Sequence, residues 1–175
     1  MRKLGSPTRS VRRMTAASAG LVLVIGVCVA AAPTASADVY LEYRVVNYES
    51  GLCLDIVSGK ALQEGCSDSN AWFFPPAAAA GYTMVEDLSD DCLGIEGAST
   101  AQGAPAVITS CAATANRQWL MDSFTDANGI TVYEVISRNS DLCLTDDNGS
   151  KSAGGEINQS TCTGDGATLW ELQIV

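Results

Sequence analysis

Seven cysteines, twenty acids and three tryptophans are the side chains of this 175-residue chain with chemistry to offer, and histidine is absent. Without an imidazole, the Ser-His-Asp and Cys-His arrangements that activate a nucleophile are closed. The paired carboxylates Asp90-Asp91 and Asp146-Asp147 have the composition for acid–base attack on a glycosidic bond. They sit among Ser, Asn and Gly, where neighbouring acids are turn residues facing water. The stretch 146–149, Asp-Asp-Asn-Gly, lacks the ligand spacing of an EF-hand calcium loop. No Cys-x-x-Cys pair is present, so zinc lacks its usual ligands. The expectation is a protein that is not an enzyme and uses neither metal nor cofactor.

The cysteines are better explained by a repeat. Copy one carries Tyr43, Ser50, Cys53, Leu54, Cys66 and Trp72. Copy two carries Tyr82, Ser89, Cys92, Leu93, Cys111 and Trp119, and copy three Tyr133, Ser140, Cys143, Leu144, Cys162 and Trp170. In every copy the tyrosine lies ten residues before the first cysteine and the serine three before it. Copies two and three share 19 residues from Cys to Cys and 8 from Cys to Trp, whereas copy one has 13 and 6. Six kinds of anchor in register three times define an internal repeat, placed at about residues 40–79, 80–128 and 129–175.

Around these anchors the apolar residues fall in short β-branched or aromatic runs bounded by Gly, Ser, Asn and Asp. Copy one reads as strands at 43–46, 52–57, 61–62 and 72–74, copy two begins at 82–85, and copy three runs from 130–136 to 170–174. Four strands per copy predict about twelve in all, with no helix. The Ala-rich stretch 77–80 between Pro76 and Gly81 reads as a loop. No four-strand unit buries its apolar face alone, so the three must close around one core, with Leu54, Leu93 and Leu144 pointing inward beside Trp72, Trp119 and Trp170.

The first 37 residues are expected to be removed. Arg2, Lys3, Arg9, Arg12 and Arg13 precede an apolar run at 21–29, and Ala35-Ser36-Ala37 suits signal-peptidase cleavage before Asp38. That apolar run is short for spanning a bilayer. A secreted, extracellular product of residues 38–175, forming one domain, follows. Five basic residues there face twenty acids, a net charge of −15, which repels phosphate backbones and anionic membranes. Nucleic acid and membranes are therefore excluded as partners, and the chain is expected to act as a monomer. Cleavage removes Cys28 and leaves six cysteines, for which fifteen pairings exist. The recurrence of one pair per copy makes the local set the economical one: Cys53 with Cys66, Cys92 with Cys111 and Cys143 with Cys162. An oxidising compartment fits this use.

The threefold Ser-x-x-Cys-Leu, second cysteine and Trp resemble the ricin B-chain type of lectin domain over about residues 43–174. Residues 97–105, Gly-Ala-Ser-Thr-Ala-Gln-Gly-Ala-Pro, resemble that family's Gly-Ser-Thr-x-Asn-Gly-Thr segment. The resemblance implies an all-β fold, a β-trefoil with pseudo-threefold symmetry and disulfides inside each repeat. It also implies a glycan or polysaccharide as partner. Sugar-binding members place an Asp directly after Cys-Leu and an aromatic two before the second cysteine. A Gln four before that cysteine and an Asn-Gln pair ahead of the Trp complete the set. The logic is physical, since a sugar offers a hydroxyl rim to carboxylates and amides and a C–H face to a flat ring.

Carried over, the implied carbohydrate-binding residues are Asp55, Gln63 and Asn70 in copy one, Asn116 in copy two, and Asp146 and Asn158 in copy three. Copy one has Glu64 at the ring position, and Gln63 lies one place from the expected amide. Copy two has Gly94 for the Asp, Thr109 at the ring position and Arg117 for the Gln. Copy three has Thr145 before Asp146, Ser160 at the ring position and Ala167-Thr168 ahead of the Trp. No copy keeps the aromatic, and a ring supplied from elsewhere in the fold would favour sugar binding. The alternatives are a protein-binding trefoil such as a protease inhibitor, or a trefoil that has lost binding. Loops 87–91 and 122–129 are the inhibitory candidates, and neither is read as carrying a basic or large apolar residue at its tip.

Overall fold

The computed structural model describes residues 41–146 and 149–175. The expected leader and cleavage site lie outside the described residues. Twelve strands follow one another in three sets of four. They are β1 (Tyr43–Asn47), β2 (Cys53–Val57), β3 (Lys60–Glu64) and β4 (Trp72–Phe73), then β5 (Glu86–Asp87), β6 (Asp91–Ile95), β7 (Ala106–Ser110) and β8 (Trp119–Thr125). The last set is β9 (Thr131–Ser137), β10 (Cys143–Asp146), β11 (Gly155–Ser160) and β12 (Leu169–Ile174). Two short 3-10 turns, Glu96–Ala98 and Ala115–Arg117, lie between the strands. The chain is all-β.

Each Cys-Leu pair sits near the start of a hairpin. β2 pairs with β3, β6 with β7 and β10 with β11, placing Leu54 opposite Gln63, Leu93 opposite Ile108 and Leu144 opposite Gln159. The turn before each hairpin needs a left-handed residue two before the cysteine, and Gly51 (φ 70°), Asp90 (φ 61°) and Asp141 (φ 57°) fill it. Asp tolerates that region better than most side chains, which explains its use where Gly is absent. The repeated serine has a local task, since Ser50 Oγ and Ser140 Oγ accept the N–H groups of Leu52 and Leu142.

The remaining strands join the repeats. β4 pairs with β5, β8 with β9, and β12 with β1, where Tyr43 lies opposite Ile174. Pairing of β9 with β10 closes the sheet on itself. Inside it Leu54, Leu93 and Leu144 and the three tryptophans are at most 2% exposed. Every indole N–H donates to the carbonyl of its own repeat's leucine: Trp72 to Leu54 at 3.1 Å, Trp119 to Leu93 at 3.0 Å and Trp170 to Leu144 at 2.9 Å. The tryptophans are thus core residues with their one polar atom satisfied.

All three local disulfides form, Cys53–Cys66, Cys92–Cys111 and Cys143–Cys162. Two sequence expectations need correction. Residues 82–85 are not a strand: Thr83 makes isolated bridges to Pro76 and Trp119, and the ladder begins at Glu86. Loop 122–129 is largely the end of β8, and only its last residues turn.

That turn carries a pH-dependent contact. The Tyr48 hydroxyl of copy one donates to Asp126 Oδ2 at 2.6 Å, and the N–H groups of Asn128 and Ile130 donate to Oδ1. The Tyr48 bond first, then the Ile130 N–H, lowers the Asp126 carboxyl to about 2. A lowered carboxylate pKa stabilises the fold above the unfolded value and loses that contribution as pH falls to the folded one. The stability difference between wild type and Tyr48→Phe, measured by urea midpoints, is expected to be constant above about pH 5 and to vanish between about 4 and 2.

Candidate functional site

Three pockets occupy equivalent places on the three repeats. The copy-three pocket, about 280 Å³, is lined by Thr145, Asp146, Asn158, Ser160 and Thr168, with Gln102 and Gly103 reaching over from copy two. β10 delivers Asp146 and β11 delivers Asn158 and Ser160. Asp146 is 1% exposed and stands in the register of Ile56 and Ile95, one place beyond that of Asp55. A buried carboxylate therefore replaces an isoleucine at the floor of this pocket. Thr145, in the register of Asp55, turns its hydroxyl onto the carbonyls of Asp146 and Ala167. Ser160, at the ring position, accepts from the Gln102 amide at 2.9 Å.

The copy-one pocket, about 360 Å³, brings Asp55 and Asn70 together with Ser69, Trp72 and residues 87–89 of copy two. Asp55 Oδ1 accepts the Ile56 N–H at 2.7 Å, and Asn70 Oδ1 accepts from the backbone and hydroxyl of Ser67. Glu64 is absent from the lining, and the Trp72 ring below is only 2% exposed. The apolar surface offered here is Leu88, 53% exposed. Its exposure corrects the expectation that loop 87–91 carries no large apolar residue at its tip.

The copy-two pocket, about 530 Å³, is lined by Glu96, Thr109, Asn116 and Arg117 among others. Asn116 donates to the Ile95 carbonyl at 3.3 Å, and Arg117 Nη1 to that of Ser110 at 2.8 Å. Among the described residues, no aromatic side chain lines this pocket or that of copy three.

Gln63 belongs elsewhere. It is fully buried, takes the Ser50 hydroxyl on Oε1, and donates from Nε2 to the carbonyls of Ser150 and Ser152 in copy three. Gln159 does the same one repeat on, with Ser140 and with the carbonyls of Ser99 and Ala101 in copy two. These amides fasten copies one and three each to a loop of another repeat, and Gln63 touches none of the three pockets. Sequence reasoning missed this, and missed residues 87–89 and 102–103 as walls, because each acts on a repeat other than its own. Two carboxylates also approach cystines, Glu86 beside Cys92–Cys111 and Glu134 beside Cys143–Cys162. Their sulfurs are bonded to each other, so no thiolate is available to hold a metal. Burial, then the charge of Asp90, raises the Glu86 carboxyl above its ordinary value.

A family profile described as ricin-type beta-trefoil lectin domain-like matches residues 34–109 and 115–175. The chain belongs to this family. Among solved structures it is similar to a designed threefold-symmetric protein, ThreeFoil, at 26% identity and a TM-score of 0.71, covering 77% of this chain and 99% of that one. It is also similar to an exo-beta-1,3-galactanase from Clostridium thermocellum, at 22% identity and a TM-score of 0.70, covering 77% of this chain and 30% of that one. A Macrolepiota procera ricin B-like lectin, solved in complex with lactose, matches at 14% identity and a TM-score of 0.63, over 77% of this chain and 95% of that one. No curated protein matches the chain significantly.

Proposed function

We propose that this chain is a secreted carbohydrate-binding module on a β-trefoil, without catalytic activity of its own. The observation that carries the reading is the copy-three pocket. Asp146 and Asn158 come from separate strands, and Gln102 comes from a neighbouring repeat, yet they line one cavity the size of a single sugar unit. Acceptors, amides and hydroxyls in a concave site suit the rim of a sugar ring. The family assignment and the lectin among the similar structures point the same way. Export is inferred from the leader, and the absence of catalysis from the missing histidine and the paired cysteines.

A glycan array probed with residues 38–175 tests this. Specific binding is expected in the wild type, with a loss of about tenfold or more in Asp146→Asn. Asp55→Ala reports on copy one in the same way. A blank array from well-folded protein would reject the reading. Leu88, exposed on loop 87–91, favours protein binding as the second reading. Binding of a protein partner abolished by Leu88→Ser would support that instead.

A further inference from the structure

Copy two has the wrong chemistry for a neutral sugar and the right chemistry for a charged one. The family's acceptor carboxylate is Gly94 here, and its Gln is Arg117. The two changes are coupled in space. A Cβ on residue 94 would meet Arg117 Cγ at 3.0 Å and Asn116 O at 3.1 Å, so the arginine stem lies over the ground an aspartate would occupy. A donor has been laid where the copy-one pocket has the acceptor Asp55.

The charge pattern of the rest of the protein makes this arginine unusual. Of the five cations outside the leader, Arg44, Lys60 and Lys151 form ion pairs with Asp68, Glu156 and Glu49. Arg138 bonds the side chain of Gln118 and stands 5.4 Å over the ring of Tyr82. Among the described residues, the Arg117 side chain makes one hydrogen bond, to the Ser110 carbonyl, and its buried Nε has no partner. In a domain with twenty acids, Arg117 is the cation with neither an ion pair nor a ring contact among the described residues, and it lines a pocket. A guanidinium so placed presents N–H donors and a full charge to an incoming carboxylate.

We propose that the copy-two pocket takes an acidic sugar, a uronic acid unit of a polysaccharide, whose carboxylate is recognised by Arg117. This rests on the carbohydrate-binding reading above and assigns one repeat a different ligand class. Asn116 and Thr109 line the same cavity and are placed to meet hydroxyls, while Glu96 in the same lining opposes the ligand's charge.

The test compares methyl glucuronide and methyl galacturonide with their methyl esters and with the parent neutral glycosides, titrated into residues 38–175 and followed by NMR. The acids are expected to bind about tenfold more tightly than their esters, a preference that high salt weakens. Arg117→Gln is expected to erase the preference, Arg117→Lys to keep part of it, and Glu96→Gln to strengthen it. Asp146→Asn is expected to leave it unchanged, which separates this pocket from copy three. An unchanged thermal midpoint for each variant excludes misfolding as the cause. Equal binding of acids and esters would overturn the proposal, as would a preference that survives Arg117→Gln. Competition by simple acetate at the same concentrations would reduce the site to a general anion contact and would overturn it too. If neutral glycosides bind and uronides do not, this inference fails while the carbohydrate reading stands; if no glycoside of either kind binds, both fail.

Discussion

Reducing the three disulfides is expected to unfold this protein at room temperature. The bridges close loops of 13, 19 and 19 residues. In the chain-entropy model each contributes about 3 kcal/mol, and the sum is comparable with the whole stability of an ordinary domain. The design leaves little else at those places, since β2, β6 and β10 are four or five residues long. One sulfur of each bridge is buried while Cys66 and Cys111 are exposed and Cys162 is half-buried, so a small thiol reagent has a way in. Circular dichroism with and without dithiothreitol provides the measurement. Retention of the native near-ultraviolet spectrum after complete reduction, checked by thiol titration, would contradict it.

The second large effect is expected at an amide that no pocket uses. Gln159→Leu leaves three groups without their partner, the Ser140 hydroxyl and the carbonyls of Ser99 and Ala101. The Ala101 carbonyl keeps the Ala104 N–H and is near water, whereas the half-buried Ser99 carbonyl and Ser140 hydroxyl lose the amide, so a loss of about 2 kcal/mol in urea denaturation is expected. The third equivalent position explains why this is a clamp and not a coincidence. Copy two has Ile108 there, and the loop it would have gripped is the one missing from shortened copy one. The clamp and its loop are absent together, and only the backbone contact remains, Ile108 N–H to Gly59 O at 3.1 Å, as Gln159 N–H bonds Ala104 O. Ile108→Gln is therefore expected to destabilise the protein, since it puts an amide where no carbonyls wait. A gain in stability would refute the account.

The contrast between Gln63 and Leu54 shows what a sequence discloses. Leu54, its cysteine and Trp72 act within one repeat, so their spacing survives in register and their roles could be read directly. Gln63 grips copy three, 87 and 89 residues away. Nothing in the local pattern signals that, and proximity to a cysteine made it look like a binding residue. Asp146 was legible as an acid near the right place. Its burial in an isoleucine's register was not, because a one-residue offset on a strand reverses the face. The strand misplaced at 82–85 failed for another reason. β-branched content marks it as extended, but the partner positions beside it belong to Pro76 and Trp119, which grant only single bridges.

The pairing of β1 with β12 brings the two ends of the domain to the same end of one ladder, with Tyr43 opposite Ile174 and the Val175 N–H on Glu42 O. Mechanically this makes the domain a loop held by a zipper. A polypeptide attached at both ends would pull the rungs open one after another, instead of shearing them together. The architecture that closes on itself is, under tension along its own chain, soft at the point of closure. Hung from one end only, it carries no load across that seam.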